Sequence, residues 1–315
     1  MSYDGPTSTK FGRYAVAEPM RFDVVHTDPG TPLKTADHEP PIPVLDQEDL
    51  FNQYIDTSAI IPGAQKVNAL GSCTANATAV SLGQMLTAAG RPLPAGLSAA
   101  NAVMSEEWAI RFYHACTDQT GDPAQEWPPT DCGSTGLYCC HELMKQGLAG
   151  SYKTASGAQN IASLLQSGTV IQGTPYFNAW MEPGPDAFLD GDGSPEAFQA
   201  AIASGVAGGH ETCITALETL AVTETGQVIP EKCVVRVRNS WSASWGDNGS
   251  FRLHLSTLQM LGSHADFKQF VLAEAAPAAE PAGLLEEAAE VIRTIAASPE
   301  RDVTEALAWL ASKGL

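Results

Sequence analysis

The apolar positions of the chain change period part-way along it. After Gly71-Ser72-Cys73 they recur as Ala75, Ala77, Ala79, Val80, Leu82, Met85 and Leu86, a mostly helical spacing that predicts a helix with Ser72 as N-cap and Cys73 in its first turn. Shorter helical patterns cover Ser134 to about Lys145, closed by Gly147, and Asn160 to Gln166, closed by Gly168. The pattern then shifts towards strands, predicted at Val170 to Phe177, His210 to Val222 and Lys232 to Arg238, the last two separated by a Thr-Glu-Thr-Gly turn region. In the third strand Cys233, Val235, Val237 and Asn239 share one face, and Val234, Arg236 and Arg238 share the other. Helices first and antiparallel strands second predict an α+β fold.

Both ends of the chain depart from this pattern. Residues 1–50 hold seven prolines, from Pro6 to Pro43, and neither a sustained helical period nor a hairpin signal, so they are expected to run extended as a belt on the body. An inhibitory propeptide is the alternative reading, although such segments usually need a compact helical unit to block a cleft. The body is expected over 51–275. A linker rich in Ala, Pro and Glu follows at 276–283, and a tail at 284–315 reads as two short amphipathic helices, Leu284 to Ala297 and Val303 to Ser312. That tail is expected to dock a protein partner. There are no internal repeats.

Composition narrows the function classes. A chain of 315 residues with 44% hydrophobic and 17% charged residues fits a globular protein with a large core. The formal net charge of −19 disfavours nucleic acid and anionic lipid as partners, because both are negative themselves. No run reaches the roughly 18 to 20 apolar residues of a membrane span, and Met1 to Lys10 lacks an apolar signal core. A cytoplasmic or virion-associated protein without signal peptide or membrane contact is expected. Seven cysteines, an odd number, leave at least one thiol free and do not read as a disulfide framework.

One of those thiols is placed for chemistry. A cysteine in the first turn of a helix has a lowered thiol pKa, because the helix N-terminus presents unpaired N–H groups and a partial positive charge. The same N–H groups can hold an oxyanion, so Cys73 is a candidate nucleophile and its N–H a candidate oxyanion donor. A base can come from far along the chain, and Gly208-Gly209-His210, which opens a strand after a flexible loop, offers one. Asn239-Ser240-Trp241, followed by Trp245-Gly246-Asp247-Asn248-Gly249, supplies an amide to orient an imidazole and a large ring to shield it.

The segments GSCTANA, GGH and RNSWSASWGDNGSF, in that order over residues 51 to 272, resemble the papain family of cysteine peptidases, in particular its bacterial and viral branch. The resemblance implies a papain-like fold, a helical subdomain followed by an antiparallel β subdomain with the active site between them. It implies Cys73 as nucleophile, His210 as base and then acid, Asn239 as orienting residue and Trp241 as shield. No cofactor and no metal are implied, and the substrate would be a protein or peptide. Asp131-Cys132-Gly133-Ser134 is similar to the family segment that pairs with an extended substrate backbone, making Gly133 and Ser134 candidate contacts; a plain turn and N-cap is the other reading. Three positions depart from the family pattern. Val67 stands where a Gln usually completes the oxyanion hole, with Asn68 or Gln65 as replacements, Ser242 replaces a usual Gly, and Glu211 replaces a small apolar residue.

Two further clusters have a bland reading beside the sharp one. His114, Cys116, Cys132, Cys139, Cys140 and His141 are dense enough for zinc but lack a C-x2-C pair, so buried free thiols, a disulfide and a metal all remain open. Asp190-Gly-Asp192-Gly resembles a calcium loop, but its sixth and twelfth positions are Pro195 and Ala201, so an acidic surface turn is expected. The leading function is a cysteine endopeptidase; the alternative is a catalytically weak papain-like scaffold with an assembly role, for example in a virus particle.

Overall fold

The helix that begins at Cys73 is the pivot of the structure, a computed structural model that describes residues 32–120 and 125–274. The chain divides into two units after Ala273, and every element of secondary structure among the described residues belongs to the first. Expectations for residues 1–31, for the linker beyond Glu274 and for the tail 284–315 lie outside the described residues.

In chain order the elements are β1 (Ala36–Asp37), α1 (Leu50–Gln53), α2 (Thr57–Ile60), α3 (Cys73–Ala88), α4 (Ala102–Thr117), α5 (Gly136–Lys145), β2 (Ala149–Ala155), α6 (Gly157–Leu164), β3 (Val170–Phe177), α7 (Pro195–Ala203), β4 (Val206–Thr219), β5 (Val234–Arg238), β6 (Ser250–His254), α8 (Leu255–Leu261) and β7 (Asp266–Leu272). Local chemistry explains several boundaries. Asn101, Thr135 and Ser194 accept the N–H of Met104, Tyr138 and Ala197 and so cap α4, α5 and α7. After α5, Gly147 adopts φ +70° while Leu148 N–H donates to Leu143 O (2.9 Å) and Gly147 N–H to Met144 O (3.0 Å), a Schellman ending that glycine makes without strain.

All neighbouring strands of the main sheet run antiparallel, in the order β2-β7-β3-β4-β5-β6, with β1 added beside β4. Helix α3 is buried continuously from Cys73 to Gln84. It packs against α4 and α5 and against strand β4 of the sheet. One apolar core therefore gathers Leu82, Phe112, Tyr113, Leu143 and Phe270 among the helices. The other, with Tyr176, Trp180, Val235, Val237, Trp241 and Phe251, belongs to the sheet. The result is the expected α+β class, although helices and strands are not fully segregated: β1 and β2 precede α6, and α6, α7 and α8 alternate with the strands.

Element boundaries differ in instructive places. Strand β4 begins at Val206, four residues before the expected His210, so Gly208 and Gly209 already pair with Tyr176 and Pro175 of β3. The helix expected at Asn160 to Gln166 starts three residues earlier, and α5 starts at Gly136 because Ser134 and Thr135 are still extended or capping. Strand β5 has Cys233, Val235, Val237 and Asn239 buried on one face, as the alternation requires. The turn at Asp190 is only in part the expected acidic surface turn: Gly191 and Asp192 are exposed, but Asp190 is 3% exposed. Its carboxylate accepts from His254 N–H (2.7 Å) and Thr257 Oγ1 (2.6 Å), satisfying donors at the start of α8.

Residues 32–46 run along this body with a short strand and a bend, and residues 47–49 form a turn before α1. Ala36 and Asp37 pair with Leu217 and Ala216 of β4, and Ile42 and Leu45 are fully buried. A Cβ at Gly83 of α3 would overlap Ile42, and one at Gly249 would overlap Val44, so both glycines are points of close approach. Among the described residues no helix is long and apolar enough to cross a membrane.

Candidate active site

Cys73 is the first residue of α3, and Ser72 O accepts from Ala75 N–H (2.9 Å) and Asn76 N–H (3.0 Å). Ser72 occupies the N-cap position without capping by its side chain; its hydroxyl turns instead to Asn76 Oδ1 (2.8 Å). The Ser72 side chain thus claims none of the first-turn N–H groups beside the thiol. The loop leading to Cys73 is tied down by Asp131. Its carboxylate accepts from Gly71 N–H (2.8 Å) and from Tyr113 O–H (2.7 Å), and that phenol oxygen in turn accepts from Gly133 N–H (2.8 Å). Burial raises the Asp131 pKa, and the bonds from Tyr113 and Gly71 work against that rise.

The sheet delivers the other two residues. His210 lies on β4 opposite Thr174, and Asn239 lies just past the end of β5, where its N–H donates to Gly249 O (2.8 Å). His210 Nε2 and Asn239 Oδ1 are 2.7 Å apart. Ser240 N–H, which can only donate, also points at Asn239 Oδ1 (2.8 Å). That atom is therefore the amide oxygen, and Nε2 carries the hydrogen. Nδ1 is left as the ring nitrogen that can exchange a proton with a nucleophile. The Trp241 ring stacks on the imidazole at 4.6 Å and 21°. Tyr176 meets the edges of both rings, at 5.2 Å from His210 and 5.3 Å from Trp241.

Helix and sheet meet at the sulfur: the N–H of Glu211, the residue after His210, donates to Cys73 Sγ at 3.4 Å. A backbone donor on sulfur stabilises a thiolate. Cys73 and His210 are both 0% exposed and Asn239 is 2% exposed. The Glu211 side chain is buried too, and a Cβ at Gly136 would come within 2.5 Å of Glu211 Oε1. Gly136 of α5 makes room for the carboxylate that stands in place of a small residue.

The remaining candidates are placed as follows. Gly133 and Ser134 are buried, Gly133 at φ +78°. Val67 leans on the helical core with its N–H on Thr57 Oγ1 (3.2 Å), whereas Asn68 and Gln65 are exposed. Ser242 adopts φ +68°, the left-handed conformation that a Gly would take freely. Of the cysteine and histidine cluster, His114 Nδ1 lies 2.6 Å from Trp127 O, and the Cys116 and Cys139 sulfurs are 3.7 Å apart. None of the seven cysteines is in a disulfide, and among the described residues no group of three His, Cys, Asp or Glu could hold a metal. Burial pushes Cys132 up to about 11 and Cys213 up to about 12, so both stay protonated and unreactive near neutrality. Sequence reasoning passed over Tyr176, Asp131 and Gln47; the position of Asp131 beside Gly133 was the only local signal among them.

In chain path the protein is similar to solved cysteine proteases. Xylellain, a cysteine protease from Xylella fastidiosa, is 16% identical, with 85% of this chain and 97% of that one covered and a TM-score of 0.44. The procathepsin B of Trypanosoma congolense is 13% identical over 85% of this chain and 87% of its own, with a TM-score of 0.49. Digestive procathepsin L 3 of Tenebrio molitor is 14% identical over 85% and 76%, with a TM-score of 0.46. Similarity of this extent assigns neither a family nor an activity. No protein-family model and no curated protein matches the sequence.

Proposed function

We propose that the chain is a papain-like cysteine endopeptidase of the bacterial and viral branch, acting on a protein or peptide. The observation that carries this reading is the His210 Nε2 to Asn239 Oδ1 contact of 2.7 Å beneath Trp241, on a strand whose next N–H reaches the Cys73 sulfur. In this reading Asn239 fixes the ring so that Nδ1 takes the Cys73 proton, giving a thiolate and imidazolium pair. The thiolate attacks the scissile carbonyl. The oxyanion is held by the Cys73 N–H, with Asn68 as second donor. The imidazolium protonates the leaving amine, and water, deprotonated by His210, then hydrolyses the thioester. Gly133 and Ser134 would line the substrate, and residues 284–315 would engage a protein partner.

The test is alkylation by iodoacetamide near pH 6, with the modified site mapped by mass spectrometry, alongside turnover of a protein substrate. Cys73 should react first, and His210→Ala should slow it by about 10²-fold, since a thiol of ordinary pKa near 8.5 is less than one per cent ionised there. Cys73→Ser should abolish turnover. An unchanged alkylation rate in His210→Ala would overturn the pairing.

The scaffold reading keeps one specific support, the complete burial of Cys73 and His210. A substrate carbonyl reaches such a sulfur only after the site opens. Rapid reaction with iodoacetamide but none with a peptidyl electrophile, together with no turnover of any protein, would favour the scaffold.

A further inference from the structure

We infer that Gln47, in the turn before α1, is a positioning residue for the His210 and Asn239 pair; this rests on the peptidase reading above. Gln47 is 0% exposed and bonds to both strands of chain that frame the site. On the nucleophile side its Nε2 donates to Leu70 O (3.2 Å), and Leu70 N–H donates to Gln47 O (2.9 Å). On the other side its N–H donates to Ser240 O (3.0 Å), and its Oε1 accepts the Ser240 hydroxyl. Leu70 lies three residues before Cys73. Ser240 follows Asn239 and donates its N–H to the same Asn239 Oδ1 that meets His210 Nε2.

One amide thus joins the loop that carries the thiol to the loop that orients the imidazole. The task needs a donor and an acceptor on one planar group. A glutamine has both, a leucine of similar size has neither, and no charge has to be buried. The segment is held in register by its neighbours, since Asp46 bridges Trp241 and Leu45 O accepts from Ser242 N–H (3.0 Å). Errors of about 1 Å in such placement cost up to 10²-fold in rate, so the site depends on a residue that touches neither substrate nor sulfur.

The experiment follows the pH profile of Cys73 alkylation in the full chain for the parent, Gln47→Leu, Ser240→Ala, the double variant and His210→Ala. A weaker hold on Asn239 weakens the imidazolium pair, so both single variants should move the acidic limb up by about one pH unit, a roughly tenfold loss of rate at pH 6. The double variant should lose no more than Gln47→Leu alone, because the bond that Ser240→Ala removes is already gone there. A change in melting temperature alone would leave the limb where it is. If the parent shows a His210-dependent limb and neither variant moves it, the inference falls and the peptidase reading stands. If parent and His210→Ala behave alike, both fall. Should Gln47→Leu fail to fold, the Ser240→Ala profile decides.

Discussion

Asn239 Oδ1 receives two donors, Ser240 N–H and His210 Nε2, and that double occupancy fixes which ring nitrogen faces the chemistry. The same residue scale holds the weakest part of the proposed machinery. A side-chain donor in an oxyanion hole is worth about 10² to 10³ in rate. Val67 cannot donate, and its packing on the helical core leaves exposed Asn68 as the nearest amide. Asn68→Ala should lower kcat by about that factor while sparing alkylation of Cys73, and steady-state kinetics with the alkylation assay reads both. A silent Asn68→Ala with a faster Val67→Gln would move the missing donor back to position 67. Motif residues were legible at this scale because helix termini and His-amide pairing are local chemistry. Tyr176, Asp131 and Gln47 were not, because each acts through partners distant in sequence, as in the contact of Asp131 with Gly71.

At the scale of elements, the interface of α3 with its neighbours is tight enough to test. Gly83→Ala would press a methyl group into Ile42 and should cost about 1–3 kcal/mol. Ile42→Ala in the same chain should recover part of that loss, a non-additivity that denaturant titration measures. Helix α4 is tied to α3 and to the preceding segment by Glu106, which accepts from Asn76 Nδ2 (2.8 Å) and Asp46 N–H (3.0 Å). Burial lifts Glu106 from its ordinary 4.5 to about 7, the two hydrogen bonds oppose the rise, and Asp46 adds to it. A raised carboxyl pKa means that the folded state holds the proton longer. Stability from Glu106 is therefore full below about pH 4.5 and lost as pH rises through about 7, on the order of 3 kcal/mol at most. The parent should lose melting temperature relative to Glu106→Gln between pH 5 and 8; a gap that does not change with pH would refute the raised value. This burial also explains why α4 was illegible: it hides Ser105 and Glu106 while Met104 is 45% exposed, inverting the pattern that marks a helical face. Strand β7 buries Lys268 and Gln269 beside Phe267 and Phe270, which erases a period of two, and β2 is an edge strand with only its two terminal alanines buried.

For the whole molecule, the α+β class was readable from periodicity, whereas the interleaving of helices with strands and the joining of β2 and β7 onto the sheet were not, since pairing partners far apart leave no local mark. The joining matters for where the first unit ends. Strand β7 lies between β2 and β3, and just beyond it Ala273 N–H donates to Leu148 O (3.1 Å) while Arg91 Nη1 donates to Ala273 O (2.7 Å). These bonds close the first unit at its own boundary, after Ala273. We therefore propose that the linker at 276–283 and the tail at 284–315 lie outside the peptidase body. Deleting residues 283–315 should leave one cooperative unfolding transition, with an unfolding free energy within about 0.5 kcal/mol of the parent, the usual range for changes away from core and caps. The pH profile of Cys73 alkylation should be unchanged, and whatever is lost should be partner binding. Deleting instead from residue 266 onward would remove β7, strip β2 and β3 of their shared neighbour and expose Phe267 and Phe270, and that shorter chain should not fold. Loss of cooperative unfolding already in the first truncation would place the tail inside the core and move the domain boundary.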